Sequence, residues 1–321
     1  MNNARQVDIM RLAHGKWRSV LLEQGISENV LDGKHHPCPL CGGKDRFRFI
    51  NKEGDGWWIC NQCGSGDGME MYMALTRQDF GSASDELRGK LCSYISEPPP
   101  QINPNKRRDN MKYNAALWKS AKRDHPLLEE YLTGRGLMLD EWRGVDLAVN
   151  PSVDFISESD EKSKVPAMLA RVSTRDGKLA LIHRTYLFKL DDGRFVPKKK
   201  MTSPSRDWKG GCVRLFPTKD QSQLIIAEGI ETALSLRAII YRKHGLLVPC
   251  WAAVNANALE RMAVPDHIKT VLIGADNDSS YTGQKVAYAL ANRLTVSDGK
   301  KVKVVTPENT DTDWNDEVRN G

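Results

Sequence analysis

Two pairs of cysteines constrain the fold of this chain more than any other feature. Cys38 and Cys41 form one Cys-x-x-Cys pair, Cys60 and Cys63 form a second, and eighteen residues separate the pairs. Each pair can form one tight turn that presents two thiolates. Four thiolates converging from two such turns are the tetrahedral ligand set of a structural Zn²⁺ ion. The spacing therefore predicts a zinc site built from these four side chains, with the neighbouring histidines only flanking it.

The segment between the two pairs predicts a β-hairpin. Residues 46–50 alternate charged and apolar side chains, residues 51–56 have turn chemistry, and residues 57–59 return as a second strand. We expect one face to fill a small core and the other to bind single-stranded DNA, because bases stack on aromatic rings while guanidinium groups bind phosphates. The alternative is that the alternation only builds the core. The predicted nucleic-acid-binding residues are Arg46, Arg48, Trp57 and Trp58.

Length and composition bound the class of protein. At 321 residues, of which 40% are hydrophobic, the chain is long enough for two or three domains with packed cores. No apolar run reaches the roughly 20 residues that span a bilayer, and the first residues do not resemble a signal peptide. We therefore expect a cytoplasmic protein with no membrane partner and with reduced thiols at its other cysteines. The net charge of +6 is compatible with a polyanionic partner.

Composition shifts divide the chain into three predicted domains. Residues 1–97 combine the cysteine pairs with flanking amphipathic helices, and residues 98–110, rich in proline and basic side chains, predict a linker. Residues 111–220 begin helical and then alternate like antiparallel strands, which predicts a mixed α+β domain. Residues 221–321 alternate short apolar strands with helices, which is typical of a parallel sheet covered on both faces. The predicted fold class is multidomain α/β.

Acidic residues follow two of the predicted parallel strands. Glu228 comes directly after the strand 224–227, and Asp276 and Asp278 come after the strand 271–275. Because ligands and catalytic groups gather at the carboxyl ends of strands in such sheets, we expect these side chains to meet. Crowded carboxylates repel one another unless a divalent cation lies among them, and oxygen ligands of this kind suit Mg²⁺ or Mn²⁺. The alternative is that they are unrelated surface acids.

Two sequence motifs resemble known families. Residues 226–235, Ile-Ala-Glu-Gly-Ile-Glu-Thr-Ala-Leu-Ser, together with residues 273–278, Ile-Gly-Ala-Asp-Asn-Asp, resemble the toprim domain of bacterial-type primases, topoisomerases and some nucleases. The cysteine segment, residues 36–68, resembles the zinc ribbon of primases of the satellite-phage alpha-protein and plasmid type. The two motifs lie in the order found in those primases. Residues 184–200 resemble the segment that precedes toprim in the same proteins.

The resemblance implies a DNA primase, a nucleotidyltransferase that makes short RNA primers on single-stranded DNA from ribonucleoside triphosphates. It implies that Glu228, Asp276 and Asp278 are catalytic and hold Mg²⁺ or Mn²⁺, while the zinc ribbon holds structural Zn²⁺ and engages the template. No Gly-x-x-x-x-Gly-Lys-Ser/Thr phosphate loop occurs in the sequence, so we expect a separate replicative helicase as partner. A phage, plasmid or other mobile genetic element is the implied source.

Further candidate ligands follow from a departure from bacterial-type primases. Those proteins have an acid four residues after the toprim glutamate, whereas this chain has Thr232. Metal binding would then rest on fewer carboxylates or recruit Asp313 or Asp316. Basic residues ahead of the toprim segment are candidates for binding nucleotide or template, with a solvated charge run as the alternative. These basic residues are Arg184, Lys198, Lys199 and Lys200.

Two other functions fit a zinc module joined to toprim. A toprim nuclease or topoisomerase would use the same metals to cleave phosphodiester bonds, although the sequence shows neither the ATPase that such nucleases bring nor room for a topoisomerase clamp. A recombination mediator would bind DNA without catalysis. Incorporation of labelled ribonucleotides on a single-stranded template separates these functions from that of a primase.

Overall fold

The structure, a computed structural model, describes residues 9–51, 54–94, 104–157, 161–279 and 281–320. The chain divides into two compact units, Met1–Asn103 and Pro104–Gly321. The amino-terminal unit holds the two cysteine pairs, and the carboxy-terminal unit holds the acidic residues that follow the predicted strands.

The amino-terminal unit is built on a four-stranded antiparallel sheet. Its strands pair in the order β1-β2-β3-β4. In chain order its elements are the helical residues 9–13 (α1), α2 (Trp17–Glu23), β1 (His36–Cys38), β2 (Gly42–Phe49), β3 (Trp58–Cys60), β4 (Gly64–Gly66), α3 (Gly68–Thr76) and α4 (Phe80–Lys90). The predicted hairpin is therefore present as β2 and β3.

Helix α2 and the sheet share a small core centred on Trp17. This side chain is fully buried and packs in one cluster with Phe47 and Phe49 of β2. Gly68, the first residue of α3, lies so close to the Trp17 ring that a Cβ atom there would collide with it. Asp67 begins α3 with a capping box, because its carboxylate accepts from the backbone N–H of the third helical residue and the reverse bond is also present. The small sheet thus packs against α2, which precedes it in the sequence, and against the start of α3, which follows it.

The carboxy-terminal unit begins with helices and continues as an alternation of strands and helices. Its elements are α5 (Pro104–Lys119), α6 (Pro126–Gly134), α7 (Leu139–Trp142), β5 (Leu147–Ile156), β6 (Lys162–Ser173), β7 (Leu179–Lys189), β8 (Phe195–Met201), β9 (Cys212–Arg214), β10 (Gln223–Ala227), α8 (Ile230–His244), β11 (Cys250–Ala252), α9 (Ala256–Arg261), β12 (Thr270–Gly274), α10 (Thr282–Val296), β13 (Lys301–Val305) and α11 (Trp314–Asn320).

Among the described residues, nine strands of this unit form one continuous sheet. The order is β13-β12-β10-β11-β9-β6-β7-β8, and β5 pairs with β6. Strands β13, β12, β10 and β11 pair with one another in parallel, whereas β9 pairs antiparallel with both β11 and β6. The predicted α/β fold class, with a parallel sheet at the carboxy terminus, is confirmed. The sheet runs without interruption from the predicted middle domain into the predicted toprim segment.

Helices cover both faces of the parallel strands. Ile225 and Ala227 of β10 pack in one cluster with residues of α8 and α11, and Leu224 and Ile226 pack in another with residues of α9 and α10. Every side chain of β10 after the first is buried. This explains why the strand is apolar throughout instead of alternating, since both of its faces meet a hydrophobic layer.

Part of the segment predicted as a linker is helical. Residues 104–110 are the first part of α5, and residues 98–103 lie outside the described residues. Proline is tolerated in the first turn of a helix, where no backbone donor is needed, so Pro104 does not prevent the helix from starting there. Further along α5, the fully buried Asn114 donates to the carbonyl oxygens of Ala180 and Ser203. These bonds join α5 to the β-sheet side of the carboxy-terminal unit.

Across the described ranges, none of the helices combines the length and the apolar character that crossing a lipid bilayer requires.

Candidate metal centres

The four cysteines of the two pairs converge in the amino-terminal unit. The Sγ atoms of Cys38 and Cys63 are 3.9 Å apart, and those of Cys41 and Cys60 are 3.7 Å apart. Four sulfurs at about 2.3 Å from a tetrahedral Zn²⁺ ion stand roughly 3.8 Å from one another, so these distances fit the ion. In the part of the chain that the structure describes, this is the one group of three or more His, Cys, Asp or Glu ligand atoms lying within 4.8 Å of one another.

Backbone amides support the thiolate form of these cysteines. The N–H of Leu40 donates to Sγ of Cys38, and the N–H of Gln62 donates to Sγ of Cys60, both at 3.4 Å. The two bonds occupy equivalent positions in the two Cys-x-x-Cys turns. Hydrogen bonds of this kind favour the charged sulfur that binds a metal. Both turns therefore have the hydrogen bonding expected of a turn that carries metal ligands.

The two neighbouring histidines have partners outside the cysteine cluster. A ring nitrogen of His36 lies 2.8 Å from the carboxylate of Asp32, and one of His35 lies 3.0 Å from the carbonyl oxygen of Asp45. The arrangement agrees with a four-cysteine ligand set that the histidines only flank.

The outer face of β2 carries the two predicted arginines. Phe47 and Phe49 point inward and are buried, whereas Arg46 is half-buried and Arg48 is exposed. The Arg48 guanidinium donates to the carbonyl oxygen of Gly33 at 2.6 Å and leaves other N–H groups for solvent or a ligand. The strand alternation thus divides a core face from a basic face, as predicted.

Trp58 lies on the core side of β3, which corrects the prediction that it contacts nucleic acid. Its side chain is 5% exposed, its indole N–H donates to the carbonyl oxygen of Asp67, and its ring stacks on Phe47 at a centroid distance of 6.1 Å. With a strand period of two, the outward residue of β3 is Ile59, which is 37% exposed. Trp57, just before β3, is half-buried.

Three loops bring acidic side chains to one edge of the large sheet. Glu228 follows β10, Asp276 follows β12 by two residues, and Asp313 directly precedes α11. Strands β10 and β12 are parallel neighbours that pair Ala227 with Gly274, so the residues that follow them lie side by side. Asp278 belongs to the same loop as Asp276, and its carboxylate accepts from the N–H of Gly283 at 3.4 Å. These four acids are called the acidic cluster below.

Burial and neighbouring charges raise the pKa of two members of the acidic cluster, Asp276 and Glu228. Burial, followed by the charges of Asp313 and Glu228, raises the pKa of Asp276 to about 7. Burial and then the charge of Asp278 raise the pKa of Glu228, and the ammonium of Lys199 acts in the opposite direction. No three of these carboxylates in the described loops meet within 4.8 Å of one another. A divalent cation with oxygen ligands fits this site, because it would remove the repulsion.

A hydroxyl takes part in the acidic cluster from the first turn of α8. Thr232 donates from its Oγ1 to Oδ1 of Asp276 at 3.4 Å. This is the position at which bacterial-type primases have an acid and this chain has a threonine. The threonine orients a carboxylate and adds no charge to the cluster.

The two further candidate ligands, Asp313 and Asp316, have different roles. Asp313 accepts from the N–H groups of Asn315 and Asp316 at 2.7 and 2.9 Å, and the Asp316 carboxylate accepts from the N–H of Asp313 at 3.1 Å. This reciprocal pair starts α11 as a capping box. Asp313 also lies near enough to Asp276 to raise its pKa. Asp313 therefore belongs to the cluster, and Asp316 serves the helix.

Lys199 lies on the face of β8 that is turned toward α8. Its Nζ is 2.9 Å from Oε2 of Glu231, and the Tyr131 hydroxyl donates to the other carboxylate oxygen at 2.8 Å. Lys199 was predicted as a site residue from the sequence, whereas Glu231 and Tyr131 were not. Glu231 is 32 residues away from Lys199 in the chain, and Tyr131 is 100 residues away from Glu231. No local sequence pattern therefore connects the three residues.

The other predicted basic residues lie on the opposite face of the β7–β8 hairpin. Lys198 and Lys200 pair across the strands with Tyr186 and Arg184, and residues that pair in this way share a face. The ammonium of Lys200 lies 4.6 Å from the ring centroid of Phe155, and that of Lys198 lies 5.8 Å from the same centroid. The strand period thus separates these residues from Lys199 and from the acidic cluster.

The sequence matches three families of domains. Residues 223–321 match the toprim domain, and residues 33–69 match the zinc-binding domain of primase-helicase. Residues 108–215 match a domain of unknown function (DUF7146). The chain therefore carries a toprim domain preceded by a zinc ribbon of the primase type, as the two motifs predicted.

Solved primase structures are also similar to this chain. The zinc-binding and RNA polymerase domains of the Aquifex aeolicus primase match at 14% identity with a TM-score of 0.43, over 98% of this chain and 82% of that one. The primase fragment of the bacteriophage T7 primase-helicase matches at 16% identity with a TM-score of 0.41, over 90% and 95%. A DNA primase domain from Pseudomonas aeruginosa matches at 16% identity with a TM-score of 0.43, over 65% and 74%.

We expect one Zn²⁺ per chain, lost when Cys60 is replaced by serine. Structural zinc contributes folding free energy on the order of 10 kcal/mol, so the amino-terminal unit of the Cys60→Ser variant should unfold while the large sheet remains intact. Metal analysis and circular dichroism measure the two effects. Cys92→Ser is the control, because Cys92 is exposed and outside the cluster, and it should retain the metal. Zinc-free wild-type protein would contradict the assignment.

We expect Asp276→Asn to stabilise the zinc-loaded protein at pH 8 when no Mg²⁺ or Mn²⁺ is added. The pKa of Asp276 is about 7 in the folded chain and 3.8 in the ordinary state, so ionisation costs stability progressively as pH rises from 4 through 7. The asparagine removes this cost, which amounts to between about 1 and 4 kcal/mol. Urea unfolding at pH 8 and at pH 4.5 tests the difference, which should be several times smaller at the lower pH.

The control for this pH dependence is Asp176→Asn. Hydrogen bonds from Lys178 and Thr174 lower the pKa of Asp176, so its charge favours folding above pH 4 and its removal should not stabilise the protein. Equal unfolding curves for wild type and Asp276→Asn at pH 8 would mean that ionisation of Asp276 does not destabilise the folded chain.

Proposed function

We propose that this protein is a DNA primase, a metal-dependent nucleotidyltransferase that synthesises short RNA primers on single-stranded DNA. The observation that carries the proposal is the presence in one chain of a primase-type four-cysteine site and of acidic side chains gathered at the carboxyl ends of adjacent parallel strands of a toprim sheet. Ribonucleoside triphosphates are the proposed substrates, and a helicase acting from a separate chain is a proposed partner.

Glu228, Asp276 and Asp278 would hold Mg²⁺ or Mn²⁺, with Asp313 as a further ligand. Bound there, the metal would lower the pKa of the primer 3′ hydroxyl and stabilise charge on the attacked α-phosphate. The residues of the chain prepare the site for this role. The carboxylates concentrate negative charge at the carboxyl ends of β10 and β12, and Thr232 orients one of them. Lys199 places a positive charge at the same edge, where it suits nucleotide phosphates.

The outer face of β2 would bind the template in the amino-terminal unit. Arg46 and Arg48 point away from the core, and Trp57 is half-buried. Guanidinium groups bind phosphates, and an aromatic face stacks with any base, so this combination suits single-stranded DNA of varied sequence. In the carboxy-terminal unit, Lys198 and Lys200 are candidates for contacts with the nucleic-acid backbone.

We expect Glu228→Gln and Asp276→Asn to reduce primer synthesis on the order of 100-fold or more, because loss of a metal ligand removes several kcal/mol of transition-state stabilisation. Asp316→Asn is the matched control: it neutralises a nearby acid that serves the helix, and it should retain most activity. Incorporation of labelled ribonucleotides on a single-stranded template is the measurement. Full activity of Glu228→Gln, or DNA binding by a wild type that incorporates nothing, would favour the recombination-mediator alternative.

We expect Arg46→Ala combined with Arg48→Ala to weaken binding of single-stranded DNA and to make it less salt-dependent. For each phosphate that the variant no longer neutralises, the slope of log K against log salt should fall by about 0.7. Fluorescence anisotropy with a labelled oligonucleotide at several salt concentrations measures both quantities. Arg88→Ala, on helix α4 of the same unit, provides the control. An unchanged slope in the double variant would leave these arginines with no role in binding the template.

A further inference from the structure

We propose that Glu231 is a positioning residue that, together with Tyr131, holds the Lys199 ammonium at the edge of the acidic cluster. The inference rests on the proposed function to the extent that it takes this cluster as the divalent-cation site. It adds a second layer of residues to that site, of which Tyr131 and Lys199 come from a helix and a strand that lie ahead of the toprim match in the sequence.

Glu231 is a buried carboxylate whose two oxygens bind Tyr131 and Lys199, and it is called the anchor below. The residue is 5% exposed in the first turn of α8, and both of its carboxylate oxygens are engaged. One accepts from the Tyr131 hydroxyl at 2.8 Å, and the other accepts from the Lys199 ammonium at 2.9 Å. The Lys199 side chain is 46% exposed. A buried carboxylate therefore holds an ammonium group that remains accessible from solvent.

Packing alone does not explain this arrangement. Burying a charged carboxylate costs its desolvation, and apolar residues of similar volume often stabilise a protein as well as a buried charge does or better. The same helix α8 carries a second pair of this kind, in which Arg242 in its last turn binds both carboxylate oxygens of the buried Glu141. The two pairs have similar chemistry at opposite ends of the helix. The pair at the first turn lies three residues after Glu228 in the sequence.

The position of the Lys199 ammonium has consequences for the acidic cluster. The ammonium binds Glu231, and the next residue of the helix, Thr232, donates its hydroxyl to Asp276 of the cluster at 3.4 Å. A lysine side chain has a flexible four-carbon stem, and without an anchor its ammonium would pair with the nearest remaining carboxylate. Pairing with Glu228 would compete with a divalent cation for that ligand. Glu231 prevents the competition and keeps the ammonium in place for a phosphate group that arrives with the metal.

A double-mutant cycle with Mn²⁺ as the probe tests this role. In the zinc-loaded full chain, Glu231→Gln should weaken Mn²⁺ binding about tenfold when Lys199 is present, a coupling of the size measured for contacting residues. In the Lys199→Met background the same substitution should change the affinity less than about twofold. Electron paramagnetic resonance of free Mn²⁺ gives the affinities. Equal fold-effects in both backgrounds would overturn the proposal, because Glu231 would then act only through its own charge.

Glu141→Gln is the matched control for loss of a buried carboxylate against α8. It should lower thermal stability as Glu231→Gln does and leave Mn²⁺ affinity unchanged. A similar loss of affinity in both variants would overturn the proposal, since the effect would then be a general one. If Glu231→Gln does not fold, Tyr131→Phe takes its place. It removes one bond to the anchor and should weaken Mn²⁺ binding two- to threefold with Lys199 present, and an unchanged affinity would count against the anchor.

The same measurements separate this inference from the proposed function. Coupling in the Mn²⁺ cycle without primer synthesis would uphold the positioning role and reject the primase. Primer synthesis without coupling would uphold the primase and reject the positioning role. A wild type that binds no Mn²⁺ at a site sensitive to Asp276→Asn would overturn both.

Discussion

The parallel pairing of β10 with β12 is the constraint on which the candidate site depends. It sets Ala227 beside Gly274, and the two strands leave the sheet side by side with an acid after each. Repulsion between those acids opposes the arrangement. The register nevertheless holds, because both faces of β10 are buried and a shift by one residue would move every side chain to the wrong layer. Burial of both faces of β10 therefore keeps the acidic side chains together although their charges repel one another.

Positions that local patterns determine were predicted well from the sequence. Each Cys-x-x-Cys pair determines both the ligand type and the turn geometry within four residues. The distances between the sulfurs fit a tetrahedral ion. The acids after strands were found because the end of a short apolar run marks the edge of a parallel sheet. Whether Glu228, Asp276 and Asp278 hold a metal stays a prediction.

Positions that tertiary packing determines were predicted less well. The aromatic pair at the end of the hairpin did not show which ring faces the core, and the stacking of Trp58 on Phe47 decides it. The three consecutive lysines looked equivalent until β8 placed Lys199 on one face and its neighbours on the other. The basic stretch before residue 111 was interpreted as linker because its composition is polar, although α5 already begins at Pro104. For Lys199 the deciding partner, Glu231, is 32 residues away in the sequence.

The continuous sheet bears on how this protein can be divided into fragments. Strand β9, which lies before the toprim match, pairs with β11 and closes that side of the parallel strands. A fragment starting at residue 221 would lose β9 and expose the backbone edge of β11, a strand whose side chains are all buried in the intact chain. Open apolar edges pair readily with other chains and aggregate. The natural cutting point for expressing the carboxy-terminal unit is therefore before α5, at the boundary between the two compact units.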